Sequence, residues 1–197
     1  MLRTITILLL IFSVSVHAQR VKLLEGDLKK LKGVTEYTVI FDYANVTIPG
    51  FESEELFLKD KVDKREAKEV GLGEEFKKNW FSDRENIHEP RFIDAFNEYF
   101  VLKRKIAISK DNPNAKYTLK VAVTEIYSGY HVGVFSQNSK LRIFVSVYAS
   151  DTPEVVLFKS KEVYATGMGT FNSGERIGAA YAVIGRKVAD YFRRKTF

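Results

Sequence analysis

The chain has 197 residues, 45% of them hydrophobic and 28% charged, with a formal net charge of +6. These values exclude a disordered or low-complexity chain and fit one globular domain with a sizeable core. The absence of cysteine excludes disulfides, thiolate chemistry and Cys-based zinc sites, and with them a bacterial lipid anchor, which is attached at a cysteine.

The N-terminus carries the first predicted element. Arg3 precedes the apolar run 5–16, and Val16 and Ala18 stand at the −3 and −1 positions of a signal-peptidase site. The run is short and early for a membrane span. The pattern predicts a signal peptide over residues 1–18 and a single domain over 19–197. Cleavage would remove the one charge of Arg3, taking the net charge from +6 to +5. A cysteine-free exported chain points to a bacterial envelope protein, periplasmic or secreted, with no transmembrane segment left after cleavage.

Residues 21–32 hold Leu23, Leu24, Leu28 and Leu31, spaced for a helical turn or two or for a loosely docked arm that Gly33 ends. Residues 37–43 are β-branched and aromatic, and predict a strand with Tyr37, Val39, Phe41 and Tyr43 on one face. A charged helix follows over 52–70, with Ser53 as N-cap and Leu58 and Val62 four apart on an otherwise polar face. A second helix over 74–84 carries Phe76 and Trp80. Pro90 suits the first turn of a third, in which Phe92, Phe96 and Tyr99 share a face. Such aromatic spacing reads as core packed on a sheet, with a ligand pocket as the sharper alternative. Lys103, Arg104 and Lys105 then open a basic, turn-rich connection that ends near Asn114.

Residues 117–167 read as three strands. Tyr117, Leu119, Val121 and Val123 alternate along the first, and the alternation slips at Glu125 and Ile126, where a bulge would restore register. Leu141, Ile143, Val145 and Val147 share one face of the second. The third starts apolar at Val155, turns polar towards Glu162 and recovers at Val163. Short connections imply antiparallel neighbours. The break over 128–139 is long for a hairpin; it reads either as a functional loop or as an extended hairpin. A final helix over 175–194 carries a large stripe (Ile177, Tyr181, Ile184, Val188, Phe192) beside a small one (Gly178, Ala182, Gly185, Ala189). Two glycines inside a helix call for a packing reason, since each costs about 1 kcal/mol against alanine; packing on the sheet is expected, with a dimer seam as the alternative.

No stretch demands a particular chemistry. His88 and His131 stand far apart and outside any metal-ligand spacing. There is no Walker loop, dinucleotide fingerprint or nucleophile elbow, so no cofactor is implied, and no nucleic-acid module appears. The candidate surface for a ligand or partner is the irregular part of the sheet: Glu125, Tyr127, Tyr130, His131 and Phe135. Abundant acids leave a paired-carboxylate glycan hydrolase as an alternative.

Residues 80–84 (WFSDR), 89–92 (EPRF), 115–117 (AKY) and 176–181 (RIGAAY) resemble uncharacterised secreted proteins of Bacteroidetes-type bacteria. That resemblance covers most of the chain beyond residue 18 and implies no known activity. The order of elements resembles, in architecture alone, the small α+β domains of Tol-system and curli-secretion periplasmic proteins. The expected fold is α+β, in the order β-α-α-α-β-β-β-α. It would have a mainly antiparallel sheet of about four strands with helices packed on one face. The expected role is non-catalytic: binding an envelope protein, glycan or lipid, or an anionic surface met by residues 103–105 and 193–195.

Overall fold

A computed structural model describes residues 20–101, 106–168 and 171–196. The predicted signal peptide and the basic triplet Lys103, Arg104 and Lys105 lie outside the described residues.

The centre is an antiparallel pair, β4 (Tyr117–Tyr127) and β7 (Ser139–Ala149). Alternation decides its faces. Leu119, Val121 and Val123 on β4 and Leu141, Ile143, Val145 and Val147 on β7 are fully buried, while the residues between them are mostly half-buried. The free edge of β7 takes β8 (Thr152–Ser160) and then β9 (Val163–Gly167), one after the other. Lys161 and Glu162 form the break between them, and the Ser160 hydroxyl accepts the Val145 N–H at 2.9 Å. β1 (Leu23–Gly26) lies antiparallel along β8.

On its other side β4 pairs with β2 (Glu36–Asp42) in parallel, and β2 pairs with β3 (Ala107–Ser109), again in parallel. The sheet is therefore seven-stranded and mixed, which corrects the expectation of about four mainly antiparallel strands. The two extra end strands have four and three residues, too few to display a period of two. The parallel pairing of β2 with β4 is invisible in strand composition. It follows from the long helical crossover between them, which a parallel pair requires.

That crossover contains α1 (Glu54–Glu66), α2 (Leu72–Asp83) and α3 (Glu89–Phe100). The expected Ser53 cap is present: its side chain accepts the Leu56 N–H at 3.1 Å. The second and third helices form one continuous rod, joined through a π turn at Arg84–His88. A wider turn is a local answer to a proline in a helical run, since Pro90 offers no N–H.

α4 (Ser173–Thr196) packs Ile177, Tyr181, Ile184, Val188 and Phe192 into the core, against β7 and β9. Its glycines face the α2–α3 rod instead. A Cβ on Gly185 would drive into the Phe92 carbonyl oxygen, and one on Gly178 would meet Ile87 Cγ2 and Arg91 Cδ at 2.9 Å. The small stripe is thus a close helix–helix contact, not the sheet contact expected. The N-terminal leucines are no loose arm either: Leu28 and Leu31 form a buried 3-10 turn capped by Asp27, which accepts the Lys29 N–H at 2.9 Å. Among the described residues no helix is long and apolar enough to cross a membrane.

Candidate functional site

The expected slip in β4 is a real bulge. Register with β7 shifts between Val123 and Glu125. The chain at Thr47 docks there: its N–H donates to Thr124 O at 2.9 Å, and its carbonyl accepts the Ile126 N–H at 3.0 Å. This brings Ile48, Pro49 and Phe51 to the end of the sheet.

Beyond Tyr127 the chain forms a separate two-stranded ribbon, β5 (Tyr130–Val132) and β6 (Phe135–Gln137). Residues 128–139 thus fold as a hairpin of their own rather than as a lengthening of β4 and β7. Gly129 has φ +67°, and a Cβ there would strike the Gln137 carbonyl, so the crossing at the base admits glycine alone. Opposed residues share a face, so Tyr130, Val132, Phe135 and Gln137 lie on one side and His131 and Ser136 on the other. The His131 ring meets Phe171 edge-on at 4.1 Å.

The first turn of α4 holds the ribbon's base. Arg176, 6% exposed, donates from Nε to Ser128 O at 3.2 Å and from Nη1 to Phe171 O at 2.9 Å. Its own carbonyl accepts the Ser139 hydroxyl at 2.7 Å. Burial lowers the Arg176 pKa.

Between this base and the α1–α2 elbow lies a groove of about 870 Å³. Phe51, Phe57, Phe76 and Trp80 make its aromatic floor, with ring centroids 5.2 Å apart for Phe51–Phe57 and 4.8 Å for Phe57–Trp80. Trp80 Nε1 donates to Glu54 Oε1 at 2.7 Å, and the Arg84 guanidinium binds the same oxygen. Tyr127, Tyr130, His131 and Phe171 line the hairpin side.

The facing wall is basic. Lys61, Lys64 and Arg65, at the i, i+3, i+4 spacing that puts side chains on one helical face, line it together with Lys68 from the turn just beyond α1. The Lys61 ammonium lies 5.2 Å from the Phe51 ring centre and the Arg65 guanidinium 4.0 Å from that of Phe76. Burial lowers the Arg65 pKa. Asp60 anchors the wall from outside, pairing with Lys61 at 3.2 Å and Lys64 at 2.6 Å. The elbow is closed by Glu66, which accepts the N–H groups of Gly71, Gly73 and Glu74. Those bonds, that from Gly71 first, hold its carboxyl below the usual carboxylate range.

Of the five candidate residues, Tyr127, Tyr130 and His131 line the groove. Phe135, on the same side of the ribbon as Tyr130 but nearer its tip, does not line the groove and is exposed. Glu125 is apart from both, in a ladder with Arg142 at 3.4 Å that continues from Arg142 to Glu162 at 2.7 Å. Glu75 is the one carboxylate among the groove-lining residues, so a pair of acids does not face across it. The basic wall was missed in the sequence, although its spacing was there to be counted. In sequence the acids and bases of α1 alternate, and they separate only around the helix.

No protein-family model matches the chain, and no curated protein matches it. Solved structures similar to it include a PelC dodecamer from Paraburkholderia phytofirmans, at 12% identity over 85% of this chain and 96% of that one, TM-score 0.40. A Xanthomonas campestris protein of the DUF330 family model aligns at 11% identity over 80% and 82%, TM-score 0.39. A hypothetical protein from Chlamydia trachomatis aligns at 10% identity over 82% and 97%, TM-score 0.37. At these identities and scores, nothing about the use of the groove is carried over from them.

Proposed function

We propose that this is an exported envelope protein, with a signal peptide over 1–18 and a single α+β domain over 19–197. Its role is non-catalytic binding, and its ligand is an acidic glycan seated in the groove between α1–α2 and the β5–β6 base. The observation that carries this reading is the meeting of a basic stripe and an aromatic floor in one groove of about 870 Å³. That volume lies within the range of about 300–1,000 Å³ typical of ligand sites. Aromatic faces suit the apolar faces of sugar rings. Lys61, Lys64, Arg65 and Lys68 suit carboxylate or sulfate groups carried along the chain.

The test is retention on an immobilised acidic polysaccharide against a neutral one, over a salt series. The reading expects retention on the acidic matrix alone, weakened by salt and by Lys64→Glu with Lys68→Glu. Equal retention on both matrices, or none on either, contradicts it.

A further inference from the structure

We infer that the β5–β6 ribbon is a docking finger, which seats its apolar tip in the interface of an anionic lipid surface. Single exposed apolar residues are ordinary, but a contiguous group marks an interaction site. Val132, Val134 and Phe135 are 67%, 92% and 71% exposed, and Phe171, against His131 at the base, is 82% exposed.

Three features select lipid as the occupant. The first is size. Each strand of the ribbon has three residues, so the finger reaches roughly 10 Å at 3.4 Å per residue. That matches the depth of about 5–10 Å over which apolar groups enter the headgroup–acyl boundary. The same small size falls far short of the ~1,000 Å² that a stable protein interface buries, which disfavours a second copy.

The second is its polarity profile. The tip is aliphatic and phenyl, whereas Tyr127, Tyr130 and His131 ring the base, where amphipathic aromatics sit at a membrane surface. The ribbon backbone is paired up to Val132 and Phe135, next to the tip, which suits an apolar surrounding.

The third is charge. Residues 126–150 contain no Asp or Glu. Lys140 lies at the base with its ammonium 5.4 Å from the Tyr127 ring centre, and the basic wall of α1 faces the same groove. An acid-free finger with cations at its root fits anionic headgroups. The anchorage through Arg176 makes it a fixed projection.

The experiment is co-sedimentation of the protein with vesicles of phosphatidylglycerol or of phosphatidylcholine. The expected result is sedimentation with the anionic vesicles, weakened about tenfold or more by Val134→Asp with Phe135→Asp. That variant should keep the melting temperature and the glycan retention, since both side chains are exposed and lie outside the groove. In a Trp80→Phe background, the emission of Val134→Trp should shift to the blue on anionic vesicles. Failure of the protein to bind anionic vesicles overturns the inference. So does a tip variant that binds them undiminished, or one that turns a lipid-free dimer into a monomer.

Discussion

His88 lies flat on Tyr181, with ring centroids 5.2 Å apart and planes 14° from parallel. The imidazole sits in the π turn, 3% exposed, and neither ring nitrogen has a side-chain hydrogen-bond partner among the described residues. Burial, aided by the charges of Arg84 and Arg91 and opposed by the nearby Gly174 backbone, pushes its pKa down to about 4. The folded protein keeps the ring neutral to that pH, while the unfolded chain takes up a proton near 6.5. Between those values the unfolded state binds more protons, so stability falls as pH drops from 6.5 and stops falling below about 4. The loss is about 3 kcal/mol. His88→Phe keeps the stack and removes the proton. Denaturant melts at pH 7 and pH 4.5 should show a smaller acid loss in the variant, and equal losses would refute the assignment.

The glycines of α4 should not respond alike to alanine. Gly185→Ala gains up to about 1 kcal/mol in helix propensity. It also forces a methyl into the Phe92 backbone carbonyl, which cannot swing away, and overpacking of that kind costs about 1–3 kcal/mol. Gly178→Ala meets side chains of Ile87 and Arg91, which can shift. Chemical denaturation should rank Gly185→Ala as the more destabilising of the two. The reverse order would contradict the helix–helix contact.

Arg176 is expected to hold the finger to the body of the protein. Arg176→Ala removes charged donors from Ser128 O and Phe171 O and should cost about 2 kcal/mol or more. Hydrogen exchange should quicken over residues 130–137 by more than in the central strands β4 and β7. A uniform rise across the sheet would mean that Arg176 supports the core rather than the finger.

Much of this was legible in the residues. The β4 and β7 alternation, the bulge by Glu125, the Ser53 cap and the large stripe of α4 each follow from a local period or a local cap. What escaped depended on distant partners. Nothing near residues 107–109 announces a strand, because three residues become one only by pairing with β2. The small stripe of α4 signalled close approach but not to what. The π turn hid behind Pro90, which read as the start of a new helix. At the site, Tyr127, Tyr130 and His131 were singled out, while Glu125 drew notice through the bulge and is occupied by Arg142. The opposite wall was missed because α1 mixes Glu, Asp, Lys and Arg in sequence, and only the helical turn gathers the cations towards the groove.

The groove also offers its own reporter. The chain has one tryptophan, and Trp80 lines the groove floor, held by Glu54 at 2.7 Å. Titration of Trp80 emission with an acidic oligosaccharide is the most direct test of the binding reading. A saturable change is expected, with a midpoint raised about tenfold by Lys64→Glu with Lys68→Glu and the melting temperature unaltered. An emission that stays constant, or a midpoint shared with a neutral oligosaccharide of equal length, would contradict it.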